Sequence, residues 1–277
     1  CDGCRTGGDF PIDFTMAFQP IIDLAEGRIW GYEALVRGRD GQGAAAVLAA
    51  VTDQNRYRFD QACRVKAIEL AGTRMPAGST AKLSINFLPN AVYEPSACIR
   101  SSLAAAARFR FDPRRLMFEF TENERMDSAH VQTIIAAYKQ MGFTTALDDF
   151  GAGYAGLGLL AQFQTDIIKL DMELVRGVDS SPARQAVIGG VVAMARAMNI
   201  RVLAEGVETA DELRLLGQAG ITLFQGYYFA RPALEHFVAE PDLHALARQR
   251  AQQLRREAMA HAWGFLARLL RRALPHH

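Results

Sequence analysis

Carboxylates and amides recur at the C-terminal ends of short, β-rich runs in this chain. Glu33 stands near the end of "RIWGYEALV" (28–36), Asn86 near the end of "AKLSINF" (81–87) and Glu119 late in "RLMFEFT" (115–121). The pair Asp148–Asp149 closes "FTTALDD" (143–149), Lys169 and Asp171 close "DIIKLD" (166–171), Glu205 closes "IRVLAE" (200–205) and Gln225 closes "ITLFQ" (221–225). Singly, each is explained as a solvated loop residue or a helix cap. Together they are not, because converging carboxylates repel and burial drives them to protonate. A set of hard oxygen donors suits divalent cations of the Mg²⁺ or Mn²⁺ type, and the lack of His and Cys at these ends argues against zinc. Adjacent carboxylates at 148 and 149 fit two ions sharing a bridging ligand, an arrangement that serves phosphoester cleavage. Lys169 has two readings: it holds or deprotonates an attacking water if the metals and burial lower its pKa, or it makes a structural ion pair with neighbouring carboxylates.

The elements that must carry these groups follow from periodicity. A further run, "TMAFQPII" (14–21), precedes the others, which gives eight strands in all. Helical patterns near 43–72, 96–108, 128–141, 155–162, 182–198 and 209–218 lie between them. Alternation of this kind implies β-α-β units and a parallel sheet, and eight strands favour an α/β fold closed into a (β/α)8, TIM-like barrel. Catalytic groups in such barrels gather at the C-terminal rim, where the polar residues above fall. One join differs. Only "DLAEGR" (23–28) separates the first two strands, too short for a parallel crossover, so the first strand is expected to run antiparallel to the rest.

Composition narrows the partners. Of 277 residues, 50% are hydrophobic and the formal net charge is +1. That balance supplies one large core and argues against a DNA-binding surface. The longest apolar stretches, such as "AVIGGVVAMA" (186–195), fall well short of the roughly twenty residues of a membrane span. No basic stretch followed by an apolar segment opens the sequence, so the expected compartment is the cytoplasm. Cys1 and Cys4 form a C-x-x-C pair, but Cys63 and Cys98 supply no second close pair for a zinc site. A reduced, frayed N-terminal extension (1–13) is the expectation. From Pro241 onward, leucines recur at helical spacing with arginines between them. Seven arginines against Asp242 and Glu257 give this tail +5, which leaves −4 for the remainder of a chain whose total is +1. The expected organisation is therefore an extension, a barrel over 14–240 and a basic amphipathic helix over 241–277. The tail either packs on the barrel or a second subunit, or docks on an anionic membrane surface with Trp263 and Phe265 at the interface. The latter would place the protein peripherally at the inner membrane.

Seven ordered segments resemble the motifs of EAL domains: "YEALVRG" (32–38), "SINFLP" (84–89), "FEFTE" (118–122), "ALDDFGAGYAGL" (146–157), "IIKLD" (167–171), "LAEGVET" (203–209) and "FQGYYFARP" (224–232). The resemblance spans about 14–235. It implies a barrel with an antiparallel first strand and two-metal hydrolysis of cyclic di-GMP to linear pGpG. By position it implies Glu33, Asn86, Glu119 and Asp148 as ligands of one Mg²⁺ or Mn²⁺, with Asp148, Asp149 and Glu205 around a second. It makes Lys169 the residue that holds or activates the attacking water. Gln19, Leu35, Arg37, Asp171, Glu208 and Gln225 match substrate-contact positions, Arg37 through a phosphate oxygen that its fixed fork of donors suits. Glu122 matches the glutamate that steadies the glycine-bearing loop 150–157, a loop the resemblance also implies in a homodimer contact. Ala155–Gly156 replaces a pair of serines common in the family. The competing functions are a non-hydrolysing cyclic di-GMP receptor and a protein-interaction module. The first typically lacks a metal ligand or the loop glutamate, and all are present here.

Overall fold

The computed structural model describes residues 13–88, 95–121, 128–153 and 156–239. Cys1, Cys4, Glu122, Ala155 and the tail over 241–277 lie outside the described residues. Cys63 and Cys98 are free thiols, the second buried.

Strands β1 (Phe14–Asp23) and β2 (Arg28–Gly38) form the expected antiparallel hairpin, paired from Phe14↔Gly38 to Asp23↔Arg28 with a register shift between Ile21 and Ile22. The turn is made by Asp23, whose Oδ1 accepts the N–H groups of Ala25 (3.1 Å) and Glu26 (3.3 Å), and by Gly27 at φ 64°. Aspartate bonding its own downstream backbone is the ordinary device for such a turn. Parallel pairings then run in chain order through β3 (Lys82–Asn86), β4 (Leu116–Thr121), β5 (Thr144–Phe150), β6 (Ile167–Leu170), β7 (Arg201–Ala204) and β8 (Leu223–Phe224). Ile22↔Phe224 and Asp23↔Leu223 pair β1 with β8 and close the barrel. A ninth strand, β9 (Ala233–Leu234), adds to β1 and was not expected from the sequence.

Two helical patterns divide. The stretch 43–72 is two helices, Ala44–Leu48 and Arg56–Arg74. Between them Asn55 accepts the Thr52 N–H at 2.7 Å and donates to the Ala50 carbonyl at 2.9 Å. Such local bonds offer the backbone an alternative to the helix. The stretch 96–108 likewise becomes Pro95–Cys98 and Arg100–Arg108. The remaining long helices form as read, over Ser128–Gln140, Gly156–Gln162, Pro182–Ala197 and Ala210–Gln218. The last begins with a reciprocal Thr209/Glu212 capping box.

The barrel interior explains why polar groups reach one rim. Ile21, Trp30, Met117, Ala146, Ile167, Leu203 and Leu223 form one buried cluster. Side chains two apart on a strand share a face. Two residues beyond Met117, Ala146, Ile167, Leu203 and Leu223 stand Glu119, Asp148, Lys169, Glu205 and Gln225. On the antiparallel β1 the offset reverses, and Gln19 stands two residues before Ile21. On β1 and on β4 to β8 an apolar residue in the core is thus followed toward the rim by a polar one on the same face; Glu33, three residues past Trp30, does not follow this offset.

Candidate metal centre

The Lys169 ammonium is the hub of the rim. Its Nζ lies 2.7 Å from Glu205 Oε1, 2.9 Å from Glu119 Oε2, 2.9 Å from Asp148 Oδ1 and 3.7 Å from Glu33 Oε1. Lys169, Glu119, Glu33 and Asp148 are buried, and Glu205 is partly so. Glu33 is held from both sides: Asn86 Nδ2 donates to its Oε1 at 3.1 Å and Gln225 Nε2 to its Oε2 at 2.6 Å. Gln225 also donates to Gln19 Oε1 at 3.0 Å, and Gln19 Nε2 in turn donates to the Ala230 carbonyl at 3.1 Å. Because Asn86 spends its amide N–H₂ on Glu33, its carbonyl oxygen is the atom it can offer to a cation. Ser84, inward-facing two residues before Asn86, donates its hydroxyl to Glu119 Oε1.

Charge does not balance within this cluster. One ammonium faces four carboxylates, and Asp149 stands beside them. Burial, joined by repulsion from Glu33 and Asp148, pushes the Glu119 carboxyl up to about 8 despite the attraction of Lys169. Burial and Asp148 push Asp149 up to about 6, and Glu205 is raised well above the usual range, again by burial first. For Lys169, burial alone would lower the pKa; Asp148, Glu119, Glu205 and Glu33 together outweigh it and raise it well above the ordinary value. With no cation beside it the ammonium is therefore held charged by the carboxylates, in the ion-paired arrangement that is one of its two readings.

The donors fit divalent cations. Glu33, Glu119 and Asp148 each offer an oxygen, and these oxygens lie within 4.8 Å of one another; Asp148, Asp149 and Glu205 do the same. The two groups share Asp148, whose buried Oδ1 touches the Lys169 charge yet receives no hydrogen bond. An all-oxygen set with a surplus of negative charge is what hard cations require.

A cleft above the cluster is lined by Gln19, Leu35, Arg37, Asp148, Glu208 and Gln225. Arg37 folds Nη1 back onto the Val36 carbonyl at 2.7 Å. Asp171 is not among the lining residues; it caps the short helix Met172–Val175, its Oδ1 accepting the Glu173 N–H at 2.7 Å. That helix brings in residues the sequence reading missed. Met172 and Arg176 line the cleft, Arg176 pairing with Glu208 at 2.6 Å, as do Tyr227 and Pro232. Arg231 lies 4.2 Å from the centre of the exposed Tyr227 ring. Tyr227 lies inside the "FQGYYFARP" segment, and Ser84 shares the inward period of Asn86, so both carried a signal. Arg176 carried none.

Comparison with known proteins places the chain in a family. The family model described as "EAL domain" matches residues 12–232. A standalone versatile EAL protein from Vibrio cholerae O395, solved in a c-di-GMP bound form, is 50% identical with a TM-score of 0.80, covering 85% of this chain and 99% of that one. BlrP1 of Klebsiella pneumoniae, solved as a manganese/cy-diGMP complex, is 36% identical with a TM-score of 0.75, over 82% of this chain and 58% of that one. Among curated relatives, the blue light- and temperature-regulated antirepressor BluF of Escherichia coli is 34% identical over 226 residues, 79% of this chain and 54% of that protein. The cyclic di-GMP phosphodiesterase PA2567 of Pseudomonas aeruginosa is 32% identical over 231 residues, 80% of this chain and 38% of that protein. The chain thus spans about half the length, or less, of these curated relatives. No helix among the described residues is long and apolar enough to cross a membrane.

Proposed function

The chain belongs to the EAL domain family, and from that premise we propose that it hydrolyses cyclic di-GMP to linear 5′-pGpG, using two Mg²⁺ or Mn²⁺ ions. The observation that carries this reading is the pair of three-carboxylate groups sharing Asp148. Glu33, Asn86, Glu119 and Asp148 would hold one ion, and Asp148, Asp149 and Glu205 the other. Bound there, such ions would supply a lowered pKa for a coordinated water and counter-charge for the phosphodiester. The remaining work falls to this chain's side chains. Lys169, a cation fixed by carboxylates on all sides, donates a hydrogen bond and so orients the attacking water. Arg37 and Arg176 bring positive charge to the cleft wall, where Arg37 would swing from Val36 to a phosphate oxygen. Gln19 and Gln225 lock Glu33 and present amides to the nucleotide. The test is direct: incubate the protein with cyclic di-GMP and Mg²⁺ or Mn²⁺ and separate the products by chromatography, expecting pGpG.

A second reading, a receptor or interaction module that leaves the nucleotide intact, draws on the likeness to BluF, named as an antirepressor. Recovery of bound, uncleaved cyclic di-GMP in that experiment would establish it over the first. The proposal extends to a homodimer contact after β5, where Leu157 is 65% exposed on the helix Gly156–Gln162. For the basic tail, co-sedimentation with anionic vesicles at low salt separates membrane docking from packing.

A further inference from the structure

On the reading of Asn86 as a metal ligand, we propose that Asp60 is a positioning residue for that side chain, acting through the backbone of Leu88. Asp60 lies on the outer helix Arg56–Arg74, 3% exposed, and Arg64 one turn later is wholly buried. Arg64 Nη2 meets Asp60 Oδ2 at 2.5 Å. The other carboxylate oxygen, Oδ1, accepts the Leu88 N–H at 3.1 Å. Leu88 is two residues past Asn86, where β3 has already ended. The intervening Phe87 N–H goes to the Glu119 carbonyl at 2.9 Å. The chain leaving β3 is therefore pinned twice, to β4 and to the outer helix.

Packing does not do this job alone. A cavity of about 550 Å³ borders the segment, lined among others by Leu35, Phe59, Asp60, Asn86, Phe87 and Leu88. Asn86 itself is exposed, with its hydrogen bond to Glu33 as its tie to the cluster. Nor does stability account for the ion pair. Taking both charges out of water is costly, and apolar replacements of similar volume are often as stable or more so. What an apolar pair cannot supply is an acceptor for Leu88. A carboxylate locked by Arg64 fixes where that N–H points, and with it the exit angle of the strand end bearing Asn86. Such outer partners typically govern ligand orientation and metal affinity.

The wild-type protein gives the first test. Leu88 lies outside a strand, yet its amide should resist hydrogen exchange like a strand amide; exchange at the unprotected rate would overturn the proposal. The second test compares Asp60→Asn, which keeps an acceptor, with the double variant Asp60→Leu/Arg64→Met, which removes it while preserving volume. Mn²⁺ alone is titrated without nucleotide. The double variant should lose about 10- to 100-fold in Mn²⁺ affinity and lose Leu88 protection, while Asp60→Asn retains most of both. In an Asn86→Ala background the double variant should cost no further Mn²⁺ affinity, since coupled residues are not additive. A loss that adds in full, or unchanged affinity where Asn86→Ala alone weakens it, sinks the proposal. If Asn86→Ala leaves Mn²⁺ affinity untouched, the ligand reading of Asn86 fails instead, and loss or retention of Leu88 protection in the double variant decides whether Asp60 fixes the strand exit.

Discussion

Asp148 and Asp149 are consecutive residues of β5, yet both offer a carboxylate oxygen to one cluster with Glu205. Regular pleating would send them to opposite faces of the sheet. Two features prevent it. The β5–β6 register shifts between Leu147 and Phe150, so three residues on β5 advance against two on β6, from Ile168 to Leu170. Asp149 also takes a left-handed backbone, φ 55°. Bulges of this kind re-aim side chains near active sites, and Asp and Asn tolerate the left-handed region better than other residues with a Cβ.

Asp149→Asn should therefore keep the fold and lose metal affinity, because the amide suits the backbone but lacks the charge. Asp149→Val should lose both, with an added cost of about 1–2 kcal/mol from the left-handed backbone. Thermal unfolding with and without Mn²⁺ separates the two effects. Equal melting temperatures for both variants in chelator would show that the backbone carries no strain there.

Removing a shared or buried ligand should be more severe. Glu33→Ala and Asp148→Ala are expected to reduce cyclic di-GMP turnover by more than about a hundredfold, beyond what outer partners of a ligand usually cost. Replacing Mn²⁺ with Ca²⁺ should also inhibit, since Ca²⁺ takes longer bonds and looser geometry. Turnover by the wild-type protein in excess chelator would defeat the metal mechanism.

Lys169 and Arg37 should fail differently. Lys169→Ala is expected to cut kcat far more than it raises KM, whereas Arg37→Ala should mainly raise KM. The structure adds a consequence for stability. Without Lys169 four carboxylates lose their shared counter-charge, and breaking a buried pair from one side costs about 3–5 kcal/mol. Metal-free Lys169→Ala should melt well below the wild type and recover much of the difference on adding Mn²⁺. The same kinetic defect in both variants would show the roles to be misassigned.

Much of this was legible from residue order. Loop length alone gave the antiparallel β1, and strand-end polarity located Glu33, Asn86, Glu119, Asp148, Lys169 and Glu205; for the last four, a period of two carries the core into the rim. What stayed hidden depends on local exceptions to that period. Nothing in "ALDDF" announces the bulge that lets Asp149 join Asp148. Asn55 breaks an apolar pattern that otherwise reads as one helix, through hydrogen bonds that periodicity does not register. Asp171 read as a strand-end carboxylate like the others, but the helix it starts gives its oxygen a backbone N–H to accept. Arg176 reaches the cleft only because that four-residue helix exists.

The pH dependence follows from the carboxylates held above their ordinary range. In the metal-free protein Glu119 sits at about 8 and Asp149 at about 6, with Glu205 also raised, whereas unfolded carboxyls titrate near about 4. Between these limits the folded chain binds more protons than the unfolded one, so stability falls as pH rises. The contribution of these groups is present below about pH 4 and is lost progressively through about 6 and 8. Asp60, raised by burial, acts in the same direction. Asp112 and Glu235 are held below the usual range by bonds from Arg114 and Thr15, so their contribution is lost only in more acidic solution. The melting temperature in chelator should thus decline from about pH 5 to about pH 8. Cations take the place of those protons, so Mn²⁺ affinity should climb across the same window and binding should release protons. Calorimetric titration in two buffers of different ionisation enthalpy counts the protons released. A flat metal-free melting curve, with no proton release on Mn²⁺ binding, would mean that the five carboxylates are already balanced without the ions.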